Sequence, residues 1–232
     1  MAEHLRVATL IGDVVASRRA PDRTRMQGSL REALEAVNAA VPATQPLDVT
    51  VGDEFQGAYG SVAAAARAAL LLRLTLLPGV DTRYGLGWGG ISVFDADRAL
   101  PSQDGPGWWA AREAIEHVDA TAGRRGRARG MATWFVDHGA TAWPAGADAP
   151  PAAPAVAGAV NGLLLLRDEL VAQQSDRARR LLLGWLRGRQ QQELAADEGI
   201  TQSAVSQQLA RSGAYAVRDA QDALDGVAAW SS

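Results

Sequence analysis

The chain has 232 residues, a formal charge of −3, no cysteine and no lysine, so all 23 basic residues are arginine. That balance excludes a strongly basic chain that coats nucleic acid indiscriminately, and the missing cysteines exclude disulfides and thiolate metal centres. No segment approaches the apolar length of a membrane span and the N-terminus lacks an export pattern, so a cytoplasmic protein without membrane contact is expected.

Residues 5–15, "LRVATLIGDVV", form an apolar run of strand-forming residues broken by Gly12-Asp13, as in a strand buried on both faces. After the loop "SRRAPDRT", Met26, Leu30, Leu34 and Val37 recur at helical spacing. In "LDVTVGDEFQGAYG", residues 47–60, Leu47, Val49 and Val51 alternate with polar residues and Gly52-Asp53 suits a hairpin turn. A second helix, "SVAAAARAALLLRLTLL", stops at Pro78-Gly79, and the glycine-laced strand "DTRYGLGWGGISVF" comes next. Interior glycines there mark close approach of a backbone or a ligand. The order strand, helix, strand, strand, helix, strand is that of a split βαβ, ferredoxin-like unit.

"DGPGWWAAREAIEHVDAT" predicts a third helix and "GMATWFVDHG" a further strand; between them "GRRGRARG" reads as a solvated loop or a phosphate-contacting arm. Residues 143–159, "WPAGADAPPAAPAVAGA", have linker composition. The expected division is a domain over 1–142, a linker over 143–159 and an all-helical domain over 160–232.

Within that last part, "RQQQELAADEGITQSAVSQQLARSG", residues 189–213, has helix-turn-helix spacing. Leu194 and the small Ala195 lie in the first helix, Gly199 suits the turn, Ile200 plugs the angle, and Thr201 caps a second helix with Val205 and Leu209 inward. Gln202, Ser203, Ser206, Gln207 and Arg211 are left on the outer face, residue types that bond base edges and phosphates of double-stranded DNA. An ordinary helical hairpin also has a polar outer face, but this one carries no acid. Arg177, Arg179, Arg180, Arg187 and Arg189 precede it without an intervening carboxylate and could add backbone contacts. The helix after it carries Asp219, Asp222 and Asp225 and should face away from DNA.

Acids at a hairpin tip are commonly just solvated. The ferredoxin-like order, however, sets the first strand beside the hairpin, so Asp13 and Asp53 can come within a few ångströms of each other. Two such carboxylates repel unless a cation joins them, and their oxygens suit Mg²⁺ or Mn²⁺, which also bind nucleotide phosphates.

"IGDVVASR" with "VGDEFQGAYG" resembles the paired metal-carboxylate motifs of class III nucleotidyl cyclases, and "GDEF" is similar to the diguanylate cyclase hairpin. "TRYGLGWGGIS" and "DGPGWWAAREA" resemble later cyclase elements, and with the helix-turn-helix the chain is most similar to the SatD family over nearly its whole length. The resemblance implies an α/β (α+β) architecture, a ferredoxin-like cyclase-type palm plus a C-terminal all-α helix-turn-helix domain. It implies metal at Asp13 and Asp53, phosphate contact at Arg112, and a nucleotide or dinucleotide site completed by Gly12, Arg18, Gly52 and Glu54. Arg18 could instead pair with Asp22, and Glu54 could be plain hairpin polarity. Two departures weigh against an active enzyme: Val49 stands where cyclases carry a purine-selecting lysine, and Trp108 where they carry a ribose-orienting asparagine. The expectation is therefore a nucleotide-sensing, homodimeric DNA-binding regulator, with an active nucleotidyl cyclase and a metal-free scaffold as alternatives. Arg189, Thr201, Gln202, Ser203, Ser206, Gln207 and Arg211 are the expected DNA contacts. Of Trp108 and Trp109, one should line the core, and His4, His117 and His138 are assigned no chemistry.

Overall fold

The computed structural model describes residues 4–17, 22–93, 103–122, 124, 128, 130–139 and 154–227. The first strand β1 (His4–Val14) leads to helix α1 (Arg23–Ala40), capped by Asp22, whose side chain accepts from the Arg25 N–H at 2.9 Å. The hairpin strands β2 (Gln45–Val49) and β3 (Phe55–Tyr59), helix α2 (Val62–Leu76) and strand β4 (Thr82–Val93) complete the βαββαβ unit. A two-residue strand β5 (Gln103–Asp104), helix α3 (Pro106–Thr121) and strand β6 (Thr133–Asp137) come after it. The sheet order is β2-β3-β1-β4-β5, with β6 parallel to β4. Its first four places are the ferredoxin-like order read from the sequence, and the protein is α+β.

Alternation along β1 divides its side chains between two layers. Ala8, Leu10 and Val14 join the core under α1 and α2, whereas Val7 and Ile11 pack with Trp108, Ala111 and Ile115 of α3 on the opposite face. The glycines of β4 exist for that second layer. A Cβ at Gly85 would overlap the Ala111 carbonyl oxygen and one at Gly87 the Gly107 carbonyl oxygen, so α3 lies directly on the strand. Backbone, not ligand, is what they admit.

Helices α4 (Pro154–Gln173), α5 (Asp176–Leu186), α6 (Gln191–Glu198), α7 (Gln202–Arg211) and α8 (Ala214–Asp225) make up the C-terminal part. Residues 154–159, read as the end of a linker, are the start of α4, because a proline is compatible with a first helical turn and the alanines after it favour helix. The linker's residues 143–153 lie outside the described residues, as do most of "GRRGRARG". Helix α4 closes the open edge of β6. Asn161 accepts from the Phe135 N–H and donates to the Phe135 carbonyl, both at 2.8 Å. Asp168 accepts from the Ala132 and Thr133 N–H groups at 3.0 and 2.7 Å, and is itself held by Arg167 at 2.9 Å. A fully buried carboxylate is retained here because every oxygen is bonded. Residues of α4–α8 such as Leu164, Leu181, Val205 and Val217 continue the same buried core as the sheet. Among the described residues no helix is long and apolar enough to cross a membrane.

Candidate functional site

The hairpin expected around the acids forms as its residues require. Glu54 N–H reaches the Val51 carbonyl at 3.1 Å, closing a turn whose first central residue, Gly52, has φ +68°. That left-handed value favours glycine. Asp53 and Glu54 come next, both half-buried, and Phe55 then turns into the core.

On β1, Asp13 faces the α3 side and stands in register with Arg83 of β4. Arg83 donates to Asp13 Oδ2 from Nε at 3.2 Å and from Nη2 at 2.9 Å, while its Nη1 bonds Asp119 of α3. Both donations use one oxygen of Asp13. Burial is the main influence raising the Asp13 carboxyl above its ordinary pKa; Arg83 pulls it down, and the nearby Asp53 raises it. Asp53 is thus near enough to Asp13 to act on its carboxyl.

Arg112, one turn after Trp108 on α3, reaches across to the hairpin. Its Nη1 and Nη2 donate to Glu54 Oε2 and Oε1 at 2.7 and 2.8 Å, a bidentate pair that holds its pKa up. Asp13, Glu54, Arg83, Arg112, Glu116 and Asp119 surround one cavity of about 140 Å³. Arg83 is the residue that sequence reasoning missed; it becomes a site residue only through the register that places it opposite Asp13.

Other expected residues fall elsewhere. Gly12 is buried and a Cβ there would overlap the Phe55 ring, so the glycine makes room for core packing beside the site. Arg18 lies outside the described residues, and Asp22, its possible partner, caps α1. Trp108 is the core tryptophan; Trp109 is exposed and donates from Nε1 to Asp104 at 2.7 Å. His117 stacks on Trp134 and His138 bonds Glu113 at 3.0 Å, both away from the cavity.

Two hard-oxygen side chains converging beside guanidiniums fit a divalent ion that keeps water and phosphate oxygens in its remaining positions. Among the described residues no set of three or more histidine, cysteine, aspartate or glutamate side chains converges in metal-binding geometry. Arg83 bonds only Oδ2 of Asp13 and makes no hydrogen bond to its Oδ1.

At the other end of the molecule, α6 and α7 are joined through Gly199 at φ +64°, with the Ile200 N–H bonded to the Ala195 carbonyl at 3.0 Å. The Thr201 hydroxyl caps α7 by accepting from Ala204 N–H at 3.1 Å. Gln202, Ser203, Gln207 and Arg211 are exposed and Ser206 is half-buried. The preceding arginines are less available than their number suggests. Arg180 is paired with Glu198 at 2.6 Å and Arg189 with Asp197 at 2.5 Å, which ties α5 and the entry of α6 to the end of α6. Arg211 makes no ion pair among the described residues. Helix α8 turns inward through Gln221, which donates to the Ala63 carbonyl of α2 at 3.0 Å.

The sequence profile of the SatD family matches residues 7–126. No curated protein matches the chain. Among solved structures, a bacterial light-regulated adenylyl cyclase is similar at 13% identity and a TM-score of 0.44, covering 52% of this chain and 42% of that one. The guanylyl cyclase Cya2 is similar at 12% identity and a TM-score of 0.41, covering 50% of this chain and 72% of its own. The adenylyl cyclase CyaB from P. aeruginosa is similar at 16% identity and a TM-score of 0.38, covering 48% and 71%. The chain spans less than half the length of the light-regulated cyclase.

Proposed function

The chain belongs to the SatD family, and on that footing we propose that it is a DNA-binding regulator whose palm binds the phosphates of a nucleotide together with a divalent ion. The observation that carries the reading is the meeting of Asp13, Arg83, Arg112 and the hairpin's Glu54 at one cavity, with Asp53 near Asp13. Asp13 and Asp53 would hold Mg²⁺ or Mn²⁺, which supplies neutralisation of both carboxylates and of phosphate charge. Arg112 and Arg83 supply planar donor forks for phosphate oxygens. Gly52 adopts the left-handed turn conformation that carries Asp53 at the tip. Sensing is favoured over turnover because Val49 has no polar group for a base and the indole of Trp108 is buried with Val7 and Ile11, away from any ribose.

The second half of the reading rests on α7. Its exposed Gln202, Ser203, Gln207 and Arg211, capped by Thr201, suit the edges and phosphates of a major groove, and Ser206 sits at the margin of that face. Arg189 contributes to holding α6 rather than to free positive charge. A homodimer would present two such helices to paired half-sites, with ligand occupancy biasing their spacing. The deciding experiment is thermal unfolding of the full chain across a nucleotide panel with and without Mg²⁺. A rise in melting temperature that requires both nucleotide and metal, and that disappears in D53N, is expected; no shift with any nucleotide would refute the palm reading.

A further inference from the structure

The Nη1–Nη2 fork of Arg112 is not open to a phosphate while Glu54 holds it, at 2.7 and 2.8 Å. A carboxylate and a phosphate present the same pair of oxygens to a guanidinium fork, so only one of them can occupy it at a time. Resting on the phosphate-site reading above, we infer that Glu54 is a built-in stand-in for the ligand: it fills the phosphate position on Arg112 when the cavity is empty and sets the affinity by having to be displaced.

Three features support this. Glu54 sits just before the buried Phe55 with its backbone bonded to Thr50 and Val51, so its side chain alone has to turn away and the sheet is not disturbed. The pair is only partly buried, with side chains 46% and 29% exposed for Arg112 and Glu54, so exchange for an incoming anion does not strand a charge in the core. Glu54 is also the residue after Asp53, so the segment that brings a carboxylate to the cation is the one that brings the competitor to Arg112.

The prediction is an acid whose removal strengthens anion binding by freeing a specific partner. Glu116 is the control, since it lines the same cavity and acts on Arg112 through its charge, without a hydrogen bond to it among the described residues. Inorganic triphosphate is titrated calorimetrically into the full chain, in chelator and in Mg²⁺. E54Q, and E54A as a second variant, should bind about fivefold more tightly than the wild type, the scale of one partly exposed ion pair, and E116Q less than about twofold more tightly. Adding R112M to E54Q should cancel the gain. Equal gains in E54Q and E116Q, or no gain in E54Q and E54A while the wild type binds, would overturn the inference and leave the phosphate site standing. Absence of binding by wild type and both variants in Mg²⁺ would remove the phosphate site and the inference together.

Discussion

Asp13 and Arg83 face each other across the two central strands of the sheet, joined by a two-pronged contact of 2.9 and 3.2 Å to a single carboxylate oxygen. Neither strand can shift register without separating them, so the site inherits the rigidity of the sheet.

The first prediction concerns pH. Burial, with Asp53 adding to it, raises the Asp13 carboxyl above its ordinary 3.8. Below 3.8 the group is protonated in both folded and unfolded chains and costs nothing; as pH rises through the elevated folded value, ionisation is harder in the fold and stability is lost. A cation needs the ionised form, so Mn²⁺ affinity should fall as pH is lowered through that range, with protons released on binding. Mn²⁺ titrations over a pH series test this, and D13N should flatten the dependence. A pH-independent affinity would remove Asp13 from the ligand set.

Substitution of the arginines should separate phosphate contact from metal contact. R112M and R83M should each weaken a Mg²⁺–nucleotide complex about tenfold or more, the value of a lost charged hydrogen bond. Mn²⁺ alone should still bind R112M as it binds the wild type. Calorimetry on both variants decides it, and loss of Mn²⁺ binding in R112M would assign that residue to the metal side instead.

Should the palm turn over nucleotide, purified protein with Mn²⁺ and ATP or GTP would release pyrophosphate, and D53N would abolish the release. The expected outcome is no release above the D53N background.

For α7, Q207A combined with R211A should weaken binding to a target operator by about 2 kcal/mol or more, read by titration at fixed salt. R211A alone should lower the slope of log affinity against log salt by about one, if the contact is to phosphate. R189A should leave that slope unchanged, because its charge is already met by Asp197.

Packing yields a prediction independent of function. In G87A the new methyl would overlap the Gly107 carbonyl and the Ala111 amide of α3, both backbone atoms that cannot rotate away. A loss of about 3 kcal/mol is expected in urea unfolding. An unchanged midpoint would mean that α3 does not lie on β4.

These residues also show which features are legible in a sequence and which are not. Asp13, Asp53 and the ferredoxin-like order were legible because hydrophobic period and turn chemistry are local, and the topology then has few alternatives. Gly199 and Thr201 were legible for the same reason. Arg83 was not, since its partner is 70 positions away and only strand register joins them. The glycines of β4 announced a close approach but not by what. Asn161 and Asp168 gave no signal at all: their role is to bond the backbone of a strand that precedes them by more than twenty residues. The pairing of Glu54 with Arg112 was likewise hidden, because each residue taken alone reads as a ligand contact.

Asn161 and Asp168 carry a practical consequence for anyone dissecting the molecule. Cutting the chain before α4 would uncover the outer rim of β6, a row of unsatisfied amides and carbonyls ready to recruit another strand. A truncated N-terminal half would thus be sticky rather than merely less stable, and clumping of such a fragment would report the loss of its cover rather than a natural assembly.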